Sequence, residues 1–382
     1  MNNDDKCLAP GTLILTENGQ KKIEDIKVGE MIQTHRGELK MVTGVTEISA
    51  PENMIGIRVT GEHETLILTG AHDIYSIKRN SLTNKNGRLR ENKKDFAVPD
   101  WMSSKHVETL DYLVEPIFIR EYLPDYEIDE RIAYLLGLYV GDGSFSERPV
   151  FGKKLISLTI ESDSNKPGIY RKMTDLCLEL KWNFSFTFTK KNTFKFTIRN
   201  ESFGKLALRL FGTGSHDKFI HQSVFSWSKE QKLSFLGGYI DSDGHFNDAK
   251  GHTRITSVNE NLMQQTKHLA WSIEVGCTIQ RDPIGNTAGG FRKDPGFGYV
   301  LNFNRSSCSF LQKHSKKISD NWNFNQVSAG DNFFFRQDGK LNIAKKVRSV
   351  EYVENQSKIG YNLKIAEDHP FIAGGNIVNN NI

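Results

Sequence analysis

Two similar acidic motifs, which lie about one domain length apart in the sequence, contain the side chains of this chain that are best suited to catalysis. Leu135–Gly143 and Leu236–Gly244 are apolar runs with small residues on one face, and each ends in an aspartate followed by glycine. If both runs are helices that cross at these small residues, Asp142 and Asp243 meet at the helix C-termini and repel each other. A divalent cation relieves that repulsion and supports phosphodiester hydrolysis. We therefore predict that both aspartates are catalytic and bind Mg²⁺ or another divalent cation.

Each repeat also ends in a similar basic segment, His216–Ile220 in the first and His314–Ile318 in the second. A lysine beside the carboxylates polarises water and screens the charge of the scissile phosphate. The resemblance of the two acidic motifs to those of the LAGLIDADG homing endonucleases implies this catalytic role for Lys218 and Lys316. The spacing leaves Lys317 open as the second lysine, and an ordinary surface lysine is the alternative in each repeat.

The two motifs resemble those of the LAGLIDADG homing endonucleases, over roughly Asp129–Asn325. The resemblance implies an α+β domain with two pseudo-symmetric αββαββα-like repeats, at about 129–225 and 229–325. It also implies metal-dependent cleavage of double-stranded DNA at a long asymmetric site, with the metal-binding role on Asp142 and Asp243. Asp241 falls at a less functional motif position, where the first copy has Val140.

The ends of the chain have a different pattern from the middle. Strand-like runs bounded by turn residues occupy the first hundred residues and the tail, whereas helical and strand-like runs alternate in between. This pattern indicates an all-β domain interrupted by an inserted domain, and therefore a multidomain protein. The predicted parts are an N-terminal flank (1–6), a first β part (7–125) with a possible DNA-contacting insertion (80–100), the inserted domain (126–328), a second β part (329–380) and a C-terminal flank (381–382).

Cys7 and the segment Thr69–His72 are the candidate reactive groups of the β part. The segments Cys7–Gly19 and Thr69–His72 resemble the N-terminal blocks of inteins. The resemblance implies that the Cys7 thiol attacks the preceding carbonyl and forms a thioester, that His72 polarises or protonates the scissile amide, and that Thr69 hydrogen-bonds nearby. The resemblance implies a Hint-type (hedgehog/intein) splicing domain that needs no cofactor and acts on a host extein protein in cis.

The C-terminal segments resemble the remaining intein blocks, with His369 in the first and a cyclising Asn380 in the second. Three positions depart from the family pattern, because asparagine stands at 362 for aspartate, at 379 for histidine and at 381 for a nucleophile. We therefore expect cleavage beside Cys7 and after Asn380, and no completed splicing.

The composition excludes several classes of protein. A net charge of +4 is too small for a polybasic nucleic-acid binder, so DNA contacts require local basic faces. The scattered cysteines and the absence of a long apolar run predict an intracellular monomer, cytoplasmic or nuclear, without membrane contact. The candidate DNA-binding residues lie in one polar loop and on strand-like segments: Lys85, Arg88, Arg90, Lys93, Lys94, Lys190, Lys191, Lys195, Arg199, Arg254, Arg281 and Arg292.

Three functions remain open from the sequence. The first is an intein with both splicing and endonuclease activity. The second is a freestanding homing endonuclease whose vestigial splicing domain only helps to bind DNA. The third is a DNA-binding regulator that uses the acidic motifs for packing alone. For the basic loop at 80–94, a solvated run of charges is the alternative to a DNA contact.

Overall fold

The structure is a computed structural model, and the chain in it divides into two compact units. One unit is formed by Met1–Phe118 together with Ala329–Ile382, and the other by Ile119–Ser328. The structure describes residues 6–17, 19–118, 122, 126–150, 153–163, 167–188, 193–283, 297–319, 322, 332–368 and 370–379. The second unit begins at Ile119, whereas the sequence pattern predicted residue 126 as the start of the inserted domain.

The first unit consists of strands and short 3-10 helices in its described residues. Its strands are β1 (Leu13–Thr16), β2 (Gly19–Lys22), β3 (Met31–Gln33), β4 (Leu39–Ser49), β5 (Asn53–Val59), β6 (Leu66–Leu68), β7 (Asp73–Ile77), β8 (Asp100–Ser103) and β9 (Tyr112–Pro116) before the second unit, and β18 (Phe333–Gln337), β19 (Lys340–Glu354), β20 (Ile359–Ile365), β21 (Phe371–Ala373) and β22 (Asn376–Asn379) after it.

These strands form one antiparallel network in the order β20-β4-β3-β1-β21-β22-β7-β9-β19-β5-β6. The order interleaves strands from before and after the second unit, so the first unit needs both parts of the chain. Two long strands make this connection: β4 pairs with β3 and then β20, and β19 pairs with β9 and then β5. Alternating apolar residues on the strands build its largest core, which includes Leu8, Ile57, Leu68, Val347 and Phe371.

The second unit contains two copies of the same element order. The first copy is α1 (Glu130–Asp142), β10 (Gly143–Val150), β11 (Lys153–Asp163), α2 (Pro167–Glu179), β12 (Asn183–Phe188), β13 (Thr193–Arg199) and α3 (Glu201–Phe211). The second is α4 (Lys229–Asp243), β14 (Gly244–Asn247), β15 (His252–Ser257), α5 (Glu260–Trp271), β16 (Cys277–Pro283), β17 (Phe297–Phe303) and α6 (Arg305–Leu311). Each copy forms a four-stranded antiparallel sheet, in the orders β10-β11-β13-β12 and β14-β15-β17-β16. The predicted αββαββα repeats are confirmed.

Helices α1 and α4 form the centre of this unit. The run from Ala133 to Val140 is buried on every side, as is the run from Lys232 to Ser242, so neither helix has a solvent face over most of its length. Local signals set the starts of both helices. Asp129 accepts hydrogen bonds from the first amides of α1, and Ser228 forms a capping box with Gln231 at the start of α4. No helix in the described ranges is long and apolar enough to cross a membrane.

Candidate functional site

Glycines let α1 and α4 approach each other closely. A Cβ atom at Gly137 would overlap the backbone of Phe235, and one at Gly238 would overlap the carbonyl oxygen of Tyr134. Near the C-terminal ends, a Cβ at Gly141 would overlap the Ser242 side chain. Gly237 faces the backbone of His314 instead of α1. The crossing at small residues therefore uses Gly238 on α4, and it places the two helix ends side by side.

Asp142 and Asp243 lie in hydrogen-bonding contact at these two ends. Loss of hydration raises the pKa of Asp243 to about 7, and the neighbouring charge of Asp142 adds to the increase. The side chain of Asp243 keeps an exposed edge, so a ligand in solvent can reach it. Two carboxylates in contact, one of them with a raised pKa, fit a hard divalent cation, which takes carboxylates together with water and phosphate oxygens.

A lysine ammonium closes the end of each helix. Lys218 Nζ donates to the carbonyl oxygens of Tyr139 (2.8 Å) and Val140 (2.9 Å). Lys317 Nζ donates to the carbonyl oxygens of Ser242 and of the C-cap Gly244. These two correspond to Gly141 and Gly143 of the first repeat, whose carbonyl oxygens Lys218 Nζ also contacts. Burial lowers the pKa of Lys218 to about 8, although the charges of Asp243 and Asp142 oppose this. The positive charges offset both the helix dipoles and the carboxylates.

The assignment of Lys316 is corrected by this geometry. Lys317 occupies the position that corresponds to Lys218, whereas the exposed Lys316 contributes its backbone amide to a different contact. Lys218 follows His216 by two residues, whereas Lys317 follows His314 by three, so the two segments differ in register by one residue. This difference of one residue cannot be recognised without the fold.

Asp241 is a fully buried aspartate that holds a loop in place, a role that we did not predict from the sequence. Its carboxylate accepts hydrogen bonds from the Ser315 hydroxyl (2.6 Å) and from the amides of Lys316 (2.7 Å) and Lys317 (2.9 Å). The Tyr134 hydroxyl of α1 donates to its other oxygen at 2.6 Å. Asp241 thus fixes the loop that carries Lys317. The acidic residue at this position, unlike Val140 in the first copy, was the available signal.

A cavity of about 380 Å³ opens beside the two aspartates. Polar side chains line it on the side of the first repeat, among them Ser144, Thr213 and Ser215. Lys218 lies on its wall together with Asp142 and Asp243. The catalytic residues proposed for the first repeat therefore share one solvent-accessible space.

In the first unit, the structure places Cys7 and Thr69 in direct contact. The Cys7 amide donates to Thr69 Oγ1 at 3.0 Å, and the Thr69 amide donates to the Cys7 carbonyl oxygen at 3.0 Å. Cys7 is fully buried, and its sulfur lies against Gly360, where a Cβ atom would overlap it. Thr69 therefore binds both the amide and the carbonyl oxygen of Cys7.

His72 follows Thr69 in a tight turn and is completely buried. Neither ring nitrogen has a hydrogen-bond partner in the described part of the chain. Burial lowers the pKa of His72 to about 3, and the charge of Lys6 lowers it further. The imidazole is therefore neutral at pH 7 and suits a group that accepts and returns a proton rather than a standing acid.

The two ends of the first unit meet at Asp73. Lys6 Nζ forms an ion pair with Asp73 at 2.9 Å, and Asn379 is the cross-strand partner of Asp73 where β22 pairs with β7. The residues just before Cys7 and just before Asn380 are therefore neighbours of one aspartate. His369 and Asn380 themselves lie outside the described residues.

One further contact involves Asn362, which we noted only as a departure from a family pattern. Its side-chain amide donates to the carbonyl oxygen of Lys6 at 2.9 Å. This carbonyl belongs to the peptide bond that precedes Cys7. No local sequence pattern predicts this contact, because Lys6 and Asn362 are 356 positions apart. The pairing of Leu8 with Tyr361 brings the two segments together.

The candidate DNA-binding residues fall into three groups. Lys85, Arg88 and Lys94 are exposed in the polar loop. Lys93 is buried, and its ammonium lies over the Phe333 ring. Arg90 stacks on Phe96 and donates to the Thr83 carbonyl oxygen. Both side chains are therefore engaged within the first unit, and their assignment to DNA binding is corrected. The exposed sheet positions are Lys195, Arg199, Arg254 and Arg281, whereas Lys190, Lys191 and Arg292 lie outside the described residues.

Comparison with known proteins identifies part of the second unit. A family model described as a LAGLIDADG-like domain matches residues 230–309, which confirms the resemblance over the second repeat. Among solved structures, the chain is similar to "The crystal structure of I-DmoI in complex with DNA and Mn", at 18% identity over 50% of this chain and 97% of that one, with a TM-score of 0.35. It is also similar to "The homing endonuclease I-WcaI bound to its DNA recognition sequence", at 13% identity over 51% and 85%, with a TM-score of 0.31.

The chain is also similar to parts of three curated proteins whose names describe different functions. A DNA polymerase of Thermococcus sp. is 23% identical over 65% of this chain and 14% of its own length. An ATP-dependent DNA helicase Hel308 of Thermococcus kodakarensis is 20% identical over 96% of this chain and 35% of its own. An iron-sulfur cluster assembly SufBD family protein of Mycobacterium bovis is 28% identical over 64% and 30%. The chain thus spans between 14% and 35% of the length of these relatives.

Proposed function

We propose that the second unit is a site-specific, metal-dependent endonuclease that cleaves both strands of a long DNA target. The observation that carries this proposal is the contact of Asp142 and Asp243 at the ends of two crossed helices, each helix closed by its own lysine. The LAGLIDADG-like match over the second repeat supports the same function.

Asp142 and Asp243 would hold the divalent cation. When bound, it supplies a lowered pKa for the attacking water and stabilises negative charge on the attacking and leaving oxygens. Lys218 and Lys317 keep the helix ends and both carboxylates in a balanced electrostatic environment, so that both carboxylates can ionise together. The exposed faces of the two sheets provide positive charge for the DNA phosphates. Lys195 lies on the sheet of the first repeat and Arg254 on the sheet of the second.

The test uses a duplex selected by the wild-type protein from a random DNA library. Asp142→Asn and Asp243→Asn should each abolish double-strand cleavage in Mg²⁺ while leaving DNA binding within a few fold. Asp175→Asn, at an exposed aspartate on helix α2 of the same unit, is the matched control and should cleave normally. Cleavage by either motif variant at the wild-type rate would refute the assignment, and binding without cleavage by the wild type would favour a regulator.

We propose in addition that the first unit catalyses cleavage at its own ends, as the splicing domain of an intein. The observation that favours this second function is the buried Cys7, held by Thr69 and placed with the C-terminal strand around Asp73. Attack of the Cys7 sulfur on the Lys6 carbonyl carbon forms the thioester bond and breaks the Lys6–Cys7 amide. His72 carries the thiol proton to the leaving nitrogen, so no external reactant is needed.

The curated relatives support an inserted element. A segment that matches a minor part of a polymerase, a helicase and a SufBD family protein fits an element that resides within unrelated hosts and excises itself. Asn381 has no nucleophilic side chain to complete ligation, and Asn379 stands beside Asn380 without an imidazole. The expected products are therefore cleavage between Lys6 and Cys7 and slow cleavage after Asn380.

Intact-mass analysis of the purified chain, with and without added dithiothreitol, tests the splicing proposal. Thiol should accelerate cleavage before Cys7, and Cys7→Ala should eliminate it. Cys177→Ala, which also removes a buried thiol, is the control. A chain that stays intact with thiol would instead favour the alternative in which the first unit only assists DNA binding. Ligation of the two flanks would show that the C-terminal assignment is wrong.

A further inference from the structure

The peptide bond between Lys6 and Cys7 is held from both of its polar sides. Thr69 Oγ1 accepts from the Cys7 amide, and Asn362 Nδ2 donates to the Lys6 carbonyl oxygen at 2.9 Å. These two contacts come from different parts of the chain, one from the β6–β7 turn and the other from β20. The scissile carbonyl therefore has a side-chain donor already in place.

The position of Asn362 is determined by the surrounding strands. The neighbouring Tyr361 exchanges two backbone hydrogen bonds with Leu8, each 2.9 Å long, and Asn362 itself pairs with Thr46 on β4. Asn362 is only 6% exposed, so water competes little for its amide group. A buried and preorganised donor stabilises developing charge far better than water does, because it needs no reorganisation during the reaction.

We infer that Asn362 is a catalytic residue of the proposed acyl shift, in which it stabilises the oxyanion that develops on the Lys6 carbonyl. As the Cys7 sulfur bonds to the carbonyl carbon, the carbonyl electron pair moves to the oxygen that faces the Asn362 amide. Collapse of this intermediate breaks the carbon–nitrogen bond, and the thiol proton ends on the Cys7 nitrogen. The inference rests on the proposed function of the first unit.

The chemistry of this position favours an amide over a carboxylate. An ionised aspartate at 362 has no proton to donate and would repel the oxyanion, whereas a neutral amide donates at every pH. The asparagine at 362 is thus suited to polarising the carbonyl itself. A protonated aspartate regains a donor, which gives the aspartate variant a distinctive pH dependence.

The experiment measures the rate of dithiothreitol-induced cleavage before Cys7 in the full chain, by intact mass, between pH 5 and 8.5. Asn362→Leu should slow cleavage by about 10²-fold or more at every pH, the usual loss for one oxyanion donor. Asn362→Asp should be similarly slow at pH 8 and approach the wild-type rate toward pH 5. Asn355→Leu and Asn355→Asp are matched controls, because Asn355 is a buried asparagine of the same unit that donates to the Ile359 carbonyl instead.

Three results would overturn the inference. They are wild-type rates in Asn362→Leu, a pH profile for Asn362→Asp that parallels the wild type, or an equal slowing by the Asn355 variants. If Asn362→Leu does not fold, the isosteric aspartate variant decides through its pH profile. Failure of the wild type to respond to thiol refutes the proposed splicing function and so removes the basis of the inference, whereas a responsive wild type isolates the role of Asn362.

Discussion

At the scale of single residues, the endonuclease site is a group of charges that depend on one another. Burial and the neighbouring charge of Asp142 raise the pKa of Asp243, and two lysines offset the negative charge that the carboxylates and helix ends concentrate. A single one of these charges, without the others, would be energetically unfavourable at the ends of α1 and α4. This dependence makes the site sensitive to protons, to cations and to the loops that carry the lysines.

We expect divalent cations to compete with a proton at the aspartate pair. The pKa of Asp243 is raised to about 7, so below that pH binding of a cation must displace a proton from Asp243, whereas above it the Asp243 carboxylate is ionised. The affinity for Mn²⁺, measured by calorimetry without DNA, should fall by up to about tenfold per pH unit below pH 7 and level off above it. Asp243→Asn should lose this binding, and Asp175→Asn, at an exposed position on α2, should retain it. An affinity that is constant from pH 5.5 to 8 would contradict the prediction.

The buried carboxylate of Asp241 should contribute strongly to stability. In Asp241→Asn the amide nitrogen faces hydrogen-bond donors, and in Asp241→Val the Ser315 hydroxyl and two amides lose their acceptor. We expect each variant to lose about 2–4 kcal/mol in urea unfolding, the range for breaking a buried charged network. Asp248→Asn, at an exposed position, should change stability by less than about 0.5 kcal/mol. Stability of Asp241→Val equal to wild type would show that the first repeat's valine serves equally well here.

At the scale of elements, the crossing of α1 and α4 decides where every catalytic group lies. The helices touch through backbone atoms at Gly137 and Gly238, so their distance leaves no room for a side chain. The sheets that flank them carry the exposed basic residues. A change in helix separation would therefore move the aspartates apart before it affected the sheets.

Gly238→Ala tests this close approach. The added methyl group would overlap the Tyr134 carbonyl oxygen, so the helices must separate, at a cost of about 3 kcal/mol or more. Gly168→Ala is the control, because it lies in helix α2 with no atom nearer than 3.8 Å to the new Cβ, and it should be neutral or slightly stabilising. Urea unfolding and thermal denaturation of the two variants give the comparison. Equal stabilities would exclude tight packing at the crossing.

At the scale of the whole molecule, the first unit is assembled from two separated parts of the chain. Pro116 and Phe335 lie opposite the same residue, Asn342, on the two sides of β19. With strands about 4.8 Å apart, these two positions are about 10 Å from each other. The chain can therefore leave and return to the first unit without strain, whatever stands between.

We expect the first unit to fold without the second. Replacement of residues 119–328 by a Gly/Ser linker of about eight residues should give a protein with a β-type circular dichroism spectrum and one cooperative unfolding transition. Dithiothreitol-dependent cleavage before Cys7 should persist in it, since the contacts of Cys7 lie within the first unit. The same deletion with Ile57→Ala, which opens a cavity in the core, serves as the comparison and should be less stable by about 2–5 kcal/mol. Absence of a cooperative transition in the parent deletion would contradict independent folding.

The basic loop of the first unit is expected to add phosphate contacts to DNA binding. Replacing Lys85, Arg88 and Lys94 by alanine should make the slope of log K against log salt shallower by up to about 2.7, which is about 0.9 for each contact. Lys93→Ala should leave the slope unchanged and lower stability, because its ammonium is buried over Phe333. A triple variant with the wild-type slope would return the loop to the class of solvated charge runs.

Local sequence patterns were sufficient to predict many of the secondary-structure elements and the meeting of the two motif aspartates. The two glycine-containing acidic motifs predicted α1 and α4 and the meeting of Asp142 with Asp243, because helical periodicity and small residues are properties of neighbouring positions. The repeat of helices and strands, the β ends and the proximity of Cys7 to Thr69 followed from the same kind of pattern and from family resemblance. Helices α3 and α6, the last helices of the two repeats, were expected only from the family resemblance. The short strand β8 was not predicted, since its four residues are too few for a pattern to stand out.

The contacts that set the chemistry were decided by the tertiary structure. Lys317 rather than Lys316 closes α4, Asp241 anchors its loop, Lys93 is buried instead of exposed, and Asn362 reaches the Lys6 carbonyl. Each of these depends on a register of one residue or on strands paired across hundreds of positions. A sequence pattern records which residues share a face, whereas the direction of one ammonium or amide depends on packing between distant segments.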